Sequence, residues 1–181
     1  AAPFGTAALA AMGICTKINM VPMYVAMGFS QGVMPFISYN YSSGDHKRMR
    51  GALSFSIKIV EVMLVLSAAA MFFFAGPLVR AFIGDQETVA YGARFLRGFC
   101  LAQPFLALDF LCVGVFQAVG MGREALVLAI LRKAVFEIPL LYLLNRFFPL
   151  YGLPYAQAVT ECVMAAIAVG LVVRFLRRLK K

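Results

Sequence analysis

Three of the carboxylate residues inside long apolar stretches of this sequence stand out: Asp109, Glu137 and Glu161. A charged side chain is costly in hydrocarbon and persists there only when it faces a bundle interior, a charged partner or a water-filled cavity. Two kinds of chemistry fit such residues. In the first, at least one carboxylate exchanges a proton or binds a cation during transport. In the second, each carboxylate is neutralised by a basic residue and holds helices together. Both interpretations stay open at this point.

Four of the other charged residues inside the apolar runs are candidate charge partners. Lys58 and Glu61 are three residues apart, so they can pair along one face of a helix. Arg132 and Lys133 lie about two helical turns into the fourth apolar run, where they could neutralise the acids.

Uncharged polar residues in the apolar runs are candidates for a substrate pathway. Proline inside a span frees a carbonyl and introduces a bend, which suits a moving helix but is also common in static membrane proteins. With seventeen Phe and ten Met, any cavity here is expected to be large and adaptable, although most of these side chains must face lipid or core. The polar pathway candidates are Gln31, Asn40, Gln117 and Tyr142.

Composition indicates that the elements carrying these residues are membrane-spanning helices. Hydrophobic residues make up 62% of the 181 residues, charged residues make up 14%, and the mean hydropathy is +0.85. Runs of about 20 apolar residues, long enough to cross the hydrocarbon, recur between short polar breaks. We therefore predict an all-α polytopic bundle of about five spans, forming a single transmembrane domain over residues 1–181. The predicted spans are 6–41, 53–83, 95–119, 125–144 and 153–176.

The first run is too long for one straight span and contains Pro22 and Pro35. We expect a kink, a tilt or a part outside the hydrocarbon. No separate soluble domain is predicted.

The breaks between runs place the three acids at similar depth. Asp109 lies eleven residues before Gly120, Glu137 twelve residues into the fourth run, and Glu161 nine residues past Gly152. At a rise of about 1.5 Å per residue, all three are expected near the bilayer midplane, each on a different helix. Transporter sites tend to lie at this depth.

The basic residues predict the orientation of the chain. The breaks alternate in charge along the sequence, and basic residues near span ends are retained on the cytoplasmic side. We therefore expect a multi-pass plasma-membrane protein with a cytoplasmic C-terminus. The net charge of +9 is assigned to such loops and not to nucleic-acid binding, with anionic headgroups as the partner of the basic tail. The cytoplasmic segments are marked by Lys47, Arg48, Arg50, Arg123, Arg174, Arg177, Arg178, Lys180 and Lys181.

Motifs of an enzyme are not found in the sequence. There is no nucleophile elbow, phosphate loop or paired Cys/His set, so neither catalysis, a metal nor a cofactor is predicted. The chain starts at Ala1 without Met or a signal-like segment. We expect it to be a fragment that lacks upstream helices.

One segment is more specific than the rest. Residues 28–50 read GFSQGVMPFISYNYSSGDHKRMR, which closely resembles the G-x-x-Q-G-x-x-P-x-x-x-x-N-Y-G-A-G-x-x-x-R signature of multidrug and toxic compound extrusion (MATE) transporters. The Gly-Ala pair is replaced by Ser42 and Ser43, a mild departure in a loop. The turn FQAVGMG at 116–122, the helix around Arg132, Lys133 and Glu137, and YGLPYA at 151–156 also resemble later helices of this family.

The resemblance covers nearly all of the chain and carries expectations of fold and function. The family fold has twelve helices in two lobes, and this chain resembles helices eight to twelve, most of the C-terminal lobe, with the N-terminal lobe missing. The resemblance implies a secondary antiporter that expels cationic or amphipathic small molecules in exchange for Na⁺ or H⁺ by rocking of the lobes. In one branch an acidic residue on the tenth helix takes part in cation coupling, and Asp109 falls on the corresponding helix.

Three alternatives stay open. A lipid-linked oligosaccharide flippase of the same superfamily would line its cavity with more arginines for pyrophosphate, whereas the deep charges here are mainly acidic. An integral membrane enzyme would show clustered His, Asp or Glu at an interface. A non-transporting membrane scaffold would not need midplane acids on three helices.

Overall fold

A computed structural model describes residues 5–147 and 152–179 of the chain. The predicted break at 148–151 and the last two lysines lie outside these ranges. Every regular element in the described ranges is helical. In chain order they are α1 (Gly5–Ser42), α2 (His46–Phe73), α3 (Ala75–Arg80), α4 (Gln86–Cys100), α5 (Gln103–Ala118), α6 (Gly122–Ile130), a π-helical segment (Leu131–Glu137), α7 (Ile138–Phe147) and α8 (Gly152–Arg178).

The all-helical membrane fold predicted from composition is confirmed. α1, α2 and α8 are each long and apolar enough to span a membrane, and the bent pair α4–α5 would be a fourth span. The fourth predicted span, 125–144, coincides with α6, the π segment and α7. These pieces are individually too short to qualify as spans, so a crossing there stays a prediction.

Helix α1 is a single α-helix of 38 residues and runs through both prolines. Each proline lacks one backbone N–H, which leaves a single carbonyl in the preceding turn without its helical donor. Packing against α2, α4 and α5 supports the helix along its length. The long first run is therefore continuous in secondary structure.

Local sequence explains the helix boundaries that differ from those predicted. The predicted span 53–83 is instead α2, which begins earlier, at His46, where Asp45 accepts the Arg48 N–H at 2.9 Å. It ends at Phe73 because Pro77 has no N–H to donate to the Phe73 carbonyl. The short helix α3 follows.

The predicted span 95–119 is two helices bent by 46° and not one. Asp85 caps the start of α4 by accepting the Thr88 N–H at 2.9 Å, which moves the beginning of the helix back to Gln86. Pro104 lies in the first turn of α5 and cannot donate to the Cys100 carbonyl, so α4 ends there. The bend sets the direction of α5, which carries Asp109.

In the part of the chain that the structure describes, the packed interior consists of three apolar clusters stacked along the bundle. One lies by the turns that precede α2 and α6, the second lies by α3 and α4, and the third lies between them. The three acids belong to none of these clusters. Representative members of the first are Met49, Phe116, Leu128 and Met164; of the second, Cys15, Val79, Phe95 and Phe99; of the third, Ala26, Leu64 and Leu111.

Candidate functional site

Asp109 and Arg132 form a buried ion pair between α5 and the π segment. Helix α5 packs against α1, α2 and α8, so the Asp109 side chain is only 3% exposed. Its Oδ2 accepts a hydrogen bond from Arg132 Nη1 at 2.9 Å. The Arg132 guanidinium also lies over the Phe110 ring, with 5.1 Å between Cζ and the ring centroid. The arginine is therefore held by charge and by an aromatic face.

Glu161 joins the same ion pair from helix α8. Its side chain is 4% exposed, and its Oε1 lies 3.8 Å from Arg132 Nη1. This distance is an ionic contact but is too long for a good hydrogen bond. Two helices thus bring their buried carboxylates to one guanidinium on the π segment.

The cluster of Asp109, Arg132 and Glu161 contains two acidic groups and one basic group. Two ionised carboxylates and one guanidinium have a formal charge of −1. Asp109 Oδ1 and Glu161 Oε2 are buried and accept no hydrogen bond from the described residues. A buried carboxylate oxygen without a donor is costly. A bound proton or monovalent cation would supply both the missing charge and the missing partner.

The third predicted acid, Glu137, is in a different environment. Its Oε1 accepts a hydrogen bond from Lys133 Nζ at 2.7 Å, and its side chain is 28% exposed. Both residues lie on the π segment, so this pair links no two helices. The π geometry is seen where the Ile138 N–H donates to the Lys133 carbonyl, five residues back.

Two cavities meet at Arg132. The first, called here the Gln31 cavity, has a volume of about 250 Å³ and brings together Gln31, Asp109, Gln117 and Arg132. The second, called here the Glu137 cavity, has a volume of about 360 Å³. It is lined by Lys133, Glu137 and Glu161, by Arg132, and by further polar residues of α1 and α8. The ion-pair cluster thus lies between two chambers, each with charged and uncharged polar walls.

Other predicted residues are not part of this arrangement. Asn40 is buried, but its Nδ2 donates to the Phe36 carbonyl of its own helix at 2.7 Å. Tyr142 is 81% exposed and lines neither cavity. Lys58 and Glu61, which have the spacing of a pair, do not form one in the structure: among the described residues Lys58 forms no ion pair, and Glu61 Oε2 is buried without a hydrogen bond. The Lys58 side chain instead points outward from α2.

Sequence reasoning missed the role of Asn19. Gln103 Nε2 donates to Asn19 Oδ1 at 3.2 Å and also contacts Met71 Sδ at 3.2 Å, in a fully buried position. Asn19 additionally lines the Glu137 cavity. The available signal was an amide side chain inside the apolar run of α1, facing a second amide at the start of α5.

The chain is similar to known proteins over nearly its whole length. A profile of the MatE family matches residues 1–143. The multidrug export protein MepA of Staphylococcus aureus is 31% identical over 176 residues, covering 97% of this chain and 38% of MepA. The chain therefore spans well under half the length of this curated relative.

Solved structures share the fold. A MATE structure in the straight conformation superposes with a TM-score of 0.91 at 18% identity, covering 97% of this chain and 40% of that one. The Vibrio cholerae MATE transporter VcmN in the bent form superposes with a TM-score of 0.89 at 23% identity, covering 98% of this chain and 41% of that one. Together with the apolar helices, the family match and the similarity to MepA support a multi-pass membrane protein. The resemblance seen in the sequence is confirmed, and the chain belongs to the MatE family of multidrug and toxic compound extrusion transporters.

Proposed function

We propose that the full-length protein is a secondary antiporter that exports cationic or amphipathic small molecules in exchange for Na⁺ or H⁺. One observation carries the proposal: a single guanidinium bridges two buried carboxylates between two polar cavities. The name of the relative MepA, a multidrug export protein, agrees with this class of cargo. The plasma membrane and a cytoplasmic C-terminus are part of the same proposal, on the strength of the basic residues near the span ends.

In the coupling step, the coupling ion and the cationic substrate compete for the excess negative charge of the cluster. In the proposed mechanism, a proton or Na⁺ occupies Asp109 Oδ1 or Glu161 Oε2, the two oxygens without a donor. Arg132 holds the other oxygens in place and prevents both carboxylates from being uncompensated at once. A cationic substrate in an adjoining cavity is attracted to the same charge, so ion and substrate bind at each other's expense.

Transport requires more than this chain. In the proposed mechanism, the pathway runs between this lobe and the missing N-terminal lobe, and the lobes rock to open it on alternate sides. Residues 1–181 alone are therefore expected not to pump dye against a gradient.

The charges at the centre disfavour the alternative functions. A flippase for a pyrophosphate-linked oligosaccharide needs an arginine-rich cavity, whereas here two acids surround one arginine. A scaffold gains nothing from buried carboxylate oxygens without donors, because an apolar core is at least as stable.

The test is ethidium efflux by the full-length protein in proteoliposomes, driven by a pH or a sodium gradient. Asp109→Asn and Glu161→Gln remove one negative charge each and keep the side-chain size. We expect ion-driven efflux to be lost or greatly reduced in each, because each variant removes a buried carboxylate that would bind the coupling ion. Glu87→Gln, at an exposed acid in the first turn of α4, is the matched control and should pump like the wild type.

Efflux that keeps its wild-type rate and ion dependence in both variants would remove the cluster from coupling. If the wild type also failed to move ethidium and other cationic dyes under either gradient, the export function itself would be rejected.

A further inference from the structure

A second cavity system lies at the end of the bundle opposite the basic tail. Its volume is about 650 Å³, larger than either cavity at Arg132. Phe72 is the penultimate residue of α2, Leu144 is near the end of α7, and Tyr155 is in the first turn of α8. Because three helix ends meet here, this cavity lies at the level where spans leave the hydrocarbon.

Two arginines on helix α4 face this cavity. Arg94 and Arg97 are exposed and one turn apart, so their guanidinium groups project from the same side of the helix. The opposite side of α4 is apolar and buried, with Phe95 and Phe99 in the core. The helix therefore turns a basic face to the cavity and an apolar face to the bundle.

The Arg97 guanidinium keeps most of its donors available. Its Nε donates to the Phe72 carbonyl at 3.4 Å, and its Cζ lies 5.5 Å from the Phe72 ring centroid. Within residues 5–147 and 152–179, it contacts no carboxylate. Arginine has five N–H donors in a planar fork, which suits bidentate contact with a phosphate.

The other described residues that line this cavity are apolar or aromatic. Leu101 and Leu144 line the cavity together with the Phe72 and Tyr155 rings. A close contact of α4 and α8 forms one side: a Cβ added at Gly98 would lie only 2.7 Å from Pro154 Cβ. The cavity thus has two arginines, Arg94 and Arg97, on one side and an apolar wall on the other.

We propose that this cavity binds one anionic phospholipid. Its phosphate is held by Arg94 and Arg97, and one acyl chain lies along Phe72, Leu101 and Leu144. Charge complementarity selects this occupant, because a cationic substrate is repelled by the two guanidinium groups and a zwitterionic lipid gains less from them. The site is separate from the cluster at Arg132 and does not depend on the transport proposal.

The test is lipid binding by the full-length protein. Phosphatidylglycerol is titrated against phosphatidylcholine in nanodiscs, and specifically retained lipid is counted by native mass spectrometry. Arg94→Gln and Arg97→Gln are each expected to weaken phosphatidylglycerol retention about fivefold, and the double variant about twenty-five-fold, from the usual contribution of a basic residue near an anionic lipid. Arg80→Gln, at an exposed arginine on neighbouring α3, is the matched control and should retain lipid normally.

A further variant separates a built site from adsorption to surface charge. Leu101→Trp fills the apolar part of the cavity and leaves both arginines in place, so retention should fall about as much as in Arg97→Gln. Unchanged retention in Leu101→Trp would mean that the arginines only attract headgroups, which overturns the proposal. Equal retention of the two lipids by the wild type, as expected if another segment of the full-length chain fills the cavity, would also overturn it.

Discussion

Replacing Arg132 with Gln should destabilise the protein more than neutralising either of its acidic partners. Arg132 Nη1 lies 2.9 Å from Asp109 Oδ2 and 3.8 Å from Glu161 Oε1. At an effective dielectric constant of about 20, these distances correspond to gross attractions of about 6 and about 4 kcal/mol. Most of this is offset by the cost of removing the charges from water, and breaking such a pair has a net cost of about 3–5 kcal/mol.

The expected loss in the free energy of unfolding depends on which buried charges each variant leaves without a partner. Arg132→Gln leaves two buried carboxylates without a cation, and we expect a loss of about 3 kcal/mol, the low end of the range, because Arg132 is 19% exposed. Asp109→Asn leaves Arg132 paired with Glu161 and should cost about 1–2 kcal/mol. In the double variant Asp109→Asn with Arg132→Gln, the decrease in the free energy of unfolding should be smaller than the sum of the two single decreases by at least about 1 kcal/mol.

The assay is the free energy of unfolding of the full-length protein in mixed micelles of a mild detergent and sodium dodecyl sulfate, followed by helical circular dichroism. A thiol-reactive dye provides a second signal, since Cys15, Cys100 and Cys112 are buried in the folded chain. Arg123→Gln, at an exposed arginine on α6, is the control and should change stability little. Strictly additive losses, or an Arg132→Gln variant as stable as Asp109→Asn, would refute the idea that Arg132 neutralises both acids.

Two further predictions concern helix packing and helix capping. Gly114→Val should destabilise the protein by about 1–3 kcal/mol, because a Cβ there would meet Ser30 Oγ at 2.6 Å and Met34 Cε at 2.9 Å, whereas Gly170→Val, where the space is open, should be nearly neutral in the same unfolding assay. Asp85→Ala should speed amide exchange in the first turn of α4, measured at Thr88. The Thr88 hydroxyl, and after it the Thr88 N–H, hold the pKa of the Asp85 carboxyl below its ordinary value. A lowered pKa in the folded state means that this protection is present at neutral pH and is lost as the pH falls through that pKa, well into the acid range. The protection of the Thr88 amide is its exchange rate relative to that of an unstructured amide at the same pH. A protection that does not fall in acid in the wild type, or a Gly170→Val variant as unstable as Gly114→Val, would contradict these predictions.

The sequence predicted the elements best where the physical signal is local. Apolar runs gave the helices, and the turn around Gly44 and the turn at Gly120 lie where they were expected, with positive φ angles of 77° and 79°. Pro77 and Pro104 are further local signals, because each lies in the first turn of a helix and ends the helix before it. A prediction from span length alone extends the second span past Pro77 and misses the bend before α5.

The site was predicted in part, because side-chain partners across helices depend on tertiary packing. The depth of Asp109 and Glu161 follows from counting residues, but their meeting at Arg132 depends on how α5, α8 and the π segment face one another. Lys58 and Glu61 have the right spacing for a pair, yet Lys58 points outward and Glu61 is partly buried. Asn19 carries no local signal strong enough to identify it, since a single amide in a span is common.

The π segment between α6 and α7 also determines which changes in chain length this lobe can tolerate. A π turn accommodates one residue more than the α-helix around it. Deleting one residue within Leu131–Glu137 would let the turn close into ordinary α-helix, while the flanking helices keep their faces. The same deletion in α5 would rotate every later residue of that helix by about 100° and turn its buried face outward. Homologous sequences aligned through this region should therefore differ by single-residue gaps at the π segment far more often than within α5.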